Sequence, residues 1–446
     1  MEKLIHELDQ ELFTNHRFNR ELFEELVEIQ KSSGVLQDRR PICPFLRPYF
    51  LPRSRYEAIR KAARILSEAF ERLTRAAIEY PEIVGKLSLS EKEDRWARIE
   101  PGYSAVSVNS RLDTFLCGEG FAFLEYNGEN PAGIGDQTSF ESLFRRVPEV
   151  QRFLAGNEHT FPSPHIRLLE TLDRVYREFG GKKAKPSIAI VDWAGVATGS
   201  EFDILKGYFE SEGYPTKICD PTDLEYSAGI LRSGSFEIDL FYKRVLIHEF
   251  LERFDESHPL YRAFADRAVC MVNSFRSKIP HKKSSFSILS DEKYHRLFNE
   301  EQREMIRLHI PWTRNVRDEV VERSGEKIEL LEFLRNERHL FILKPNDDYG
   351  GKGIAVGWEC SESEWDDALE IALATPYVVQ ERVGVDKVEM PVFKDGELRF
   401  ETLLVDFDPF LFCGVVEGGL ARLSSKSLVN VTQGGGETAL AILDQF

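Results

Sequence analysis

The sequence predicts an α/β (α+β) protein of several domains. Three observations carry that reading. The first hundred residues place apolar side chains at helical spacing. Residues 186–275 alternate short apolar β-branched runs with helical stretches, the pattern of a small parallel α/β unit. Strand-like runs joined by glycine-containing turns recur at 111–127 and again near the C-terminus. The 446 residues suggest two or three domains by length. The pattern divides them into four segments: 1–100, 101–185, 186–275 and 276–446.

At 42% hydrophobic and 30% charged the chain has the composition of a soluble globular protein with ample length for a core. A formal net charge of −17 lacks the basic footprint of a broad nucleic-acid binder. No apolar run approaches the roughly 20 residues that span a bilayer. The start, MEKLIHELDQELF, is acidic and amphipathic, unlike a signal peptide. The six cysteines are scattered, with no CxxC and no Cys/His cluster at zinc spacing. Reduced thiols in a cytoplasm account for them most simply.

Taken in order, 54–80 reads as one amphipathic helix through Ile59, Ala62, Ile65, Leu66, Phe70 and Leu73. The preceding PICPFLRPYFLPRS is proline-rich and aromatic, hence an extended packed segment, with Arg40 and Arg47 read as surface or ion-pair arginines rather than ligand contacts. The stretch RLDTFLCGEGFAFLEYNGENPAG, 111–133, is a hairpin turning at Cys117-Gly118-Glu119-Gly120. Strict alternation puts Arg111, Asp113 and Phe115 on one face, and Phe121, Phe123, Glu125 and Asn127 on one face of its partner. Residues 127–136 form a loop, and a helix is expected over 138–153. IAIVDW, PTKICDP and IDLFYKRV are strands, and Asp192 and Asp220 stand at the ends of two of them, most simply as caps or turn residues. No GxGxxG follows the first. Further on come KIPHKKSSF, with Lys282 and Lys283 opening a helix; a strand 340–344 ending in Lys344; a loop with Gly350, Gly351 and Gly353; and YVVQERV, a strand ending in Gln380 and Glu381. ELRFETLLVDF and PFLFCGVV read as a last strand pair.

Two constellations carry chemistry. Asp113, Glu125 and Asn127 present two carboxylates and an amide oxygen, a hard-oxygen set suited to Mg²⁺ with phosphate oxygens completing the shell. Solvated polar edges of an antiparallel sheet would give the same pattern. Lys344 followed by a glycine-rich loop suits a triphosphate, because glycine lets backbone N–H groups approach anionic oxygens and an ammonium adds a point charge. The loop is no Walker A motif, and a hairpin turn beside a surface lysine is the alternative. Lys283 and the VVQE strand end favour the nucleotide reading: two lysines for phosphate, an apolar slot for adenine at Gln380-Glu381, and the acidic hairpin for metal.

With these motifs in hand, the chain resembles the ATP-grasp enzymes, and within them the circularly permuted branch that includes glutathionylspermidine synthase. RLD followed by EYN is similar to that synthase's metal hairpin, and here it precedes the lysines, as a permuted order requires. KIPHKKSSF resembles the segment of the first nucleotide lysine, ILKPNDDYGGKGI that of the second lysine and flexible loop, and YVVQE the hinge strand. The resemblance implies Mg²⁺ ligation by Asp113, Glu125 and Asn127, ATP contacts from Lys283, Lys344, Gly350, Gly351, Gln380 and Glu381, and Arg111 near the reacting carboxylate or γ-phosphate. Arg422 is implied as a further phosphate arginine, with Asn430 beside it. Where the family's synthase carries small hydroxyl residues after the hairpin, this chain has Gly128 to Gly133, and the amidase domain of some bifunctional relatives has no counterpart in it.

The implied activity is ATP-dependent carboxylate–amine ligation through an acylphosphate, with ATP and Mg²⁺ as cofactors, a small acid and an amine (peptide or polyamine) as partners, and neither nucleic acid nor membrane. Glu129 and Asp136 are expected to receive the amino group. An ATP-binding scaffold without chemistry, or a small-molecule kinase, are the alternatives on the same fold.

Overall fold

Helix Arg53–Glu79 is the longest helix among the described residues. Tyr56, Ile59, Ala63, Leu66, Phe70, Leu73 and Ala77 recur at spacings of three and four and are all buried. It ends where it must: Tyr80 precedes Pro81 and takes extended dihedrals. The computed structural model describes residues 2–14, 16–33, 35–37, 40–394, 397–429, 431 and 434–444.

The long helix lies against a six-stranded antiparallel sheet and against helix Glu300–His309. The sheet runs Gly436–Thr438, Val415–Ser424, Glu397–Phe412, Asn109–Cys117, Gly120–Asn127, with Lys387–Lys394 also paired to Glu397–Phe412. Glu397–Phe412 is one 16-residue strand, not the two expected. Pro409 sits beside a register irregularity, where a missing N–H is tolerated, and the chain turns later, at Cys413 and Gly414, both at positive φ. The helix expected over 138–153 is two helices, Asp136–Phe144 and Pro148–Gly156. Pro148 opens the second at a position that needs no N–H.

The segment expected to be parallel α/β is so. Strands Cys270–Val272, Leu240–Lys243, Ile188–Val191 and Thr216–Cys219 lie side by side in that order, all parallel. A further four-stranded sheet, antiparallel, orders Thr313–Asn315, Tyr377–Glu381, Phe341–Pro345 and Ala355–Val356. The proline-rich segment is extended at Tyr49–Pro52 and pairs with the C-terminal strand Leu440–Leu443.

All six cysteines are free thiols. No helix among the described residues is long and apolar enough to cross a membrane. The main core gathers where the long helix meets the hairpin: the Phe70 ring stacks on Tyr126 at 4.3 Å and meets Phe286 at 5.5 Å. Phe70→Ala should therefore cost about 3–5 kcal/mol in denaturant unfolding, near the upper end for a large-to-small change. A loss under 1 kcal/mol would show that this junction is not where the core is tied.

Candidate functional site

The hairpin forms as expected, with Cys117 opposite Gly120 and Gly118 at positive φ in the turn. Its register slips between Asp113 and Thr114, leaving Leu124 as an extra residue on the second strand. The bulge reverses parity, so the expectation that Phe121 and Phe123 share a face with Glu125 and Asn127 is overturned. Phe121 and Phe123 pack in the core, whereas Leu124, Glu125 and Asn127 line a cavity together with Arg111 and Asp113. Glu125 pairs directly opposite Asp113.

The far wall of this cavity of about 1070 Å³ comes from residues more than 150 positions later. Of two short helices, Lys278–His281 and Ser284–Leu289, the first brings His281 to the cavity, whereas Lys283 between them is buried and outside its lining. Its ammonium lies 3.1 Å from Glu125 Oε1 and donates to the Asp348 carbonyl at 2.7 Å. Lys344, near the end of Phe341–Pro345, donates to Gln380 Oε1 at 2.7 Å and to the Leu124 carbonyl of the hairpin at 3.3 Å. Burial, with Glu125 opposing it and Lys283 adding to it, pushes the Lys344 ammonium down to about 8. Burial alone would raise Glu125, but Lys283, Lys344 and His281 together outweigh it and hold the carboxyl below its usual range. Gly350 and Gly351 line the cavity at positive φ, where glycine is strongly favoured.

Between the walls is an arginine–carboxylate cluster. Arg111 grips Asp113 with Nε at 2.9 Å and Nη2 at 3.1 Å. Arg422 Nη2 lies 2.8, 2.6 and 2.7 Å from oxygens of Asp113, Asp406 and Asp408. Burial works against charging Asp113, yet the two guanidiniums prevail and keep it well below the carboxylate range. Burial pushes Asp406 up to about 6. Asn127 donates its amide N–H to Asp113 at 2.8 Å, which leaves its carbonyl oxygen for another partner. Glu125 and Asn127 thus fit a hard cation, while both oxygens of Asp113 are engaged by arginine.

The opposite end of the cavity is acidic and short of cations. Asp136, at the start of its helix, and Glu437, on strand Gly436–Thr438, both line it. Burial, with Glu437 and Glu201 adding to it, raises Asp136 well above its ordinary value. Burial also pushes Glu437 up to about 7, and its Oε2 is buried without a hydrogen-bond partner. Glu201 is already spent on the Ile134 N–H and on Arg244. Asp192, after the first parallel strand, faces the same space.

Several expected residues lie elsewhere or act otherwise. Glu129 does not face an incoming amine: it is fully buried, 3.0 Å from the Lys278 ammonium, and accepts from the Ile247 N–H. Ligand atoms of Glu129, His281 and Asp347 lie within 4.8 Å of one another, a grouping a divalent cation uses. Lys278 bridges Glu129 and Asp347, and Lys282 Nζ sits 2.6 Å from Asp347, so two ammonium groups already balance it. Gln380 and Glu381 border the cavity, but their side chains turn to Lys344 and to Arg323, and their backbone is paired with Thr313–Asn315 on one side and Phe341–Pro345 on the other. Asp220 caps a 3₁₀ turn, as expected. Arg47 is buried against Asp9. The side chain of Arg40, and Asn430, lie outside the described residues. Asp406 and Asp408 were missed, although VDFDPF places two carboxylates on one strand face.

No family model and no curated protein matches the chain. Among solved structures it is similar to a glutathione synthetase-like effector from Globodera pallida, at TM-score 0.60 and 13% identity over 96% of this chain and 97% of that one. Two weaker likenesses are to a protein assigned as γ-glutamylcysteine synthetase from Methylobacillus flagellatus KT (TM-score 0.38, 12% identity, 81% and 82% covered) and to D-alanyl-alanine synthetase A from Vibrio cholerae (0.28, 12%, 50% and 68%). The first shows the fold. This chain has an α+β, ATP-grasp-like architecture of mixed parallel and antiparallel sheets with a helical N-terminal region.

The acidic end has a thermodynamic signature. Glu437 titrates higher folded than unfolded, so its contribution favours the fold fully below about pH 4.3 and is lost as pH rises through about 7. Glu437→Gln should be more stable than the parent at pH 8, by on the order of 1–3 kcal/mol, with the difference closing by pH 5. Equal melting curves at pH 8 would mean that the carboxylate finds a cation there.

Proposed function

We propose that this chain is an ATP-dependent carboxylate–amine ligase, arranged like glutathionylspermidine synthase. The observation that carries the reading is the meeting of two distant segments at one cavity: Lys344, Gly350 and Gly351 line it together with Glu125 and Asn127, and Lys283, outside the lining, pairs with Glu125 at 3.1 Å. At about 1070 Å³ the cavity exceeds the usual range for one small ligand, roughly 300–1,000 Å³, and so suits a nucleotide with a second substrate.

In this reading Lys283 and Lys344 hold the phosphates, with Gly350 and Gly351 offering backbone N–H groups. The adenine lies along the strand end at Gln380 and Glu381. Glu125 and Asn127, with Asp113 beside them, would hold Mg²⁺, which when bound would supply positive charge to the phosphoryl oxygens. Arg111 and Arg422 orient the acid. The substrate carboxylate takes the γ-phosphoryl group and releases ADP. The amine then attacks the acyl carbon, phosphate leaves, and the amine proton is lost to give the amide. An attacking amine enters most favourably from the end where Asp136 and Glu437 lack a cation. No covalent intermediate on the protein is needed, because positioning and electrostatics supply the rate. The six free thiols suit a reducing cytoplasm.

ADP release that requires Mg²⁺ and both an acid and an amine, assayed over a panel of each, is the expected result. Asp113→Asn should abolish it, and Glu125→Gln should lower it by about 10²–10³-fold. A stable phosphorylated acid with no amide would make the protein a kinase. Nucleotide binding by calorimetry with no phosphate release for any acceptor would make it a scaffold.

Affinity for ATP carries a pH test as well. Lys344 must be charged to hold phosphate, and its free ammonium sits at about 8. ATP affinity should therefore be flat below pH 7 and fall above about 8, with proton uptake on binding measured in two buffers of different ionisation heat. Lys344→Met should lose both the affinity and its slope. An unchanged slope in that variant would remove Lys344 from the phosphate site.

A further inference from the structure

The loop after Lys344 is anchored at its base by buried ions. Asp347 takes Lys282 at 2.6 Å as well as Lys278. Beside it, Asn346 accepts from the Lys283 and Ser284 N–H groups at 3.0 and 2.8 Å. At the other end the Tyr377 hydroxyl donates to the Gly353 carbonyl at 3.1 Å. Between these anchors Gly350, Gly351 and Gly353 all have positive φ, so the segment bends where side chains would resist it.

The tip reaches to the helix Ile247–Arg253, beside the parallel sheet's carboxyl end. Tyr349 is 55% exposed, yet its hydroxyl donates to Glu249 Oε1 at 3.2 Å. The other oxygen of the same carboxylate accepts from the Trp193 indole N–H at 2.7 Å. Arg253 lies over the Trp193 ring at 3.9 Å. Trp193 follows the parallel strand Ile188–Val191, at the carboxyl end of that sheet where ligands gather, and its ring lines the cavity. Residues 193, 249 and 349 come from three separate elements and share one carboxylate.

We propose that Tyr349, Glu249 and Trp193 form a latch that holds the glycine-rich loop shut from the acceptor side of the cavity, with Glu249 as its positioning residue. The closed loop covers nucleotide phosphates only if the ligase reading holds; the latch itself does not need it. One carboxylate joins the loop tip to a wall residue of the acceptor space. A ligand that packs on Trp193 and closure of the loop therefore bias one another, and the coupling is reciprocal. Substrate at the parallel sheet would thus favour the state in which water is kept from the phosphates.

Lys352, exposed within the loop, makes the latch measurable by limited trypsin cleavage of the full chain, with fragment masses reading that site against sites elsewhere. In the protein alone, Tyr349→Phe and Glu249→Ala should each speed cleavage after Lys352 by about five- to ten-fold, the scale of one hydrogen bond to a charged group at a half-exposed site. The double variant should be no faster than the faster single. Trp193→Phe, which removes the indole donor and keeps an aromatic wall, should speed it by a smaller factor, about two- to three-fold. Wild-type cleavage in Tyr349→Phe, or additive effects in the double variant, would overturn the latch. Repeating the series with Mg²⁺ and a non-hydrolysable ATP analogue separates the two claims. If the analogue fails to protect Lys352 in the wild type while the variants keep their order, the nucleotide reading fails and the latch stands.

Discussion

The contact between Lys283 and Glu125 is the one on which the site depends. It ties an edge hairpin of the large antiparallel sheet to a wall built more than 150 residues later in the chain. Neither wall is electrostatically comfortable alone. Two buried ammonium groups, Lys283 and Lys344, would repel each other, as would Asp113 and Glu125 on the hairpin. Brought together, each wall supplies the other's counter-ions. Such buried pairs contribute little net stability once desolvation is counted, but they are costly to misalign. Their effect is to fix which faces meet.

The glycine-rich loop follows the same logic at its base. Asp347 is half-buried against Lys278 and Lys282, which in turn engage Glu129 and Glu93. This cluster joins the loop to the helical N-terminal region through Glu93, whose helix is closed by a capping box at Ser90. Of the charged residues that first suggest a ligand site, Glu129 is thus matched within the scaffold, while Glu125 and Asp136 face the cavity.

Much of the scaffold was legible because it rests on local periodicity. The helix beginning at Arg53, the parallel strands around Ile188, Thr216 and Leu240, and the hairpin turn at Gly118 all follow from spacing and turn chemistry. Lys283 and Lys344 were legible as lysines in the wrong company, one beside a second lysine and one ending an apolar strand. The bulge at Leu124 was not, since a single extra residue leaves no mark on composition yet exchanges the two faces of the strand. The uninterrupted strand through Pro409 was hidden for a related reason: a proline signals a break unless the partner strand offers an irregularity at that point. Glu129 was misread because its partner Lys278 is 149 residues away, and pairing at that distance is a property of the fold rather than of the local pattern.

Glu129 and Glu437 show why burial alone does not assign a carboxylate its role. Both are buried, and burial opposes the charge of each. Lys278 and His281 reverse that effect at Glu129 and hold it low. At Glu437 the arginines Arg422 and Arg111 only partly offset burial, because Asp406 and Asp408 already share Arg422. The cavity therefore carries a gradient, from Lys344 at the loop, through arginines matched to aspartates, to carboxylates whose neighbouring arginines only partly offset burial. A molecule with phosphate at one end and an amine at the other is oriented by that gradient before any specific contact forms. In the proposed ligase reading, the acid would meet phosphate in the middle of the cavity, at Arg111 and Asp113.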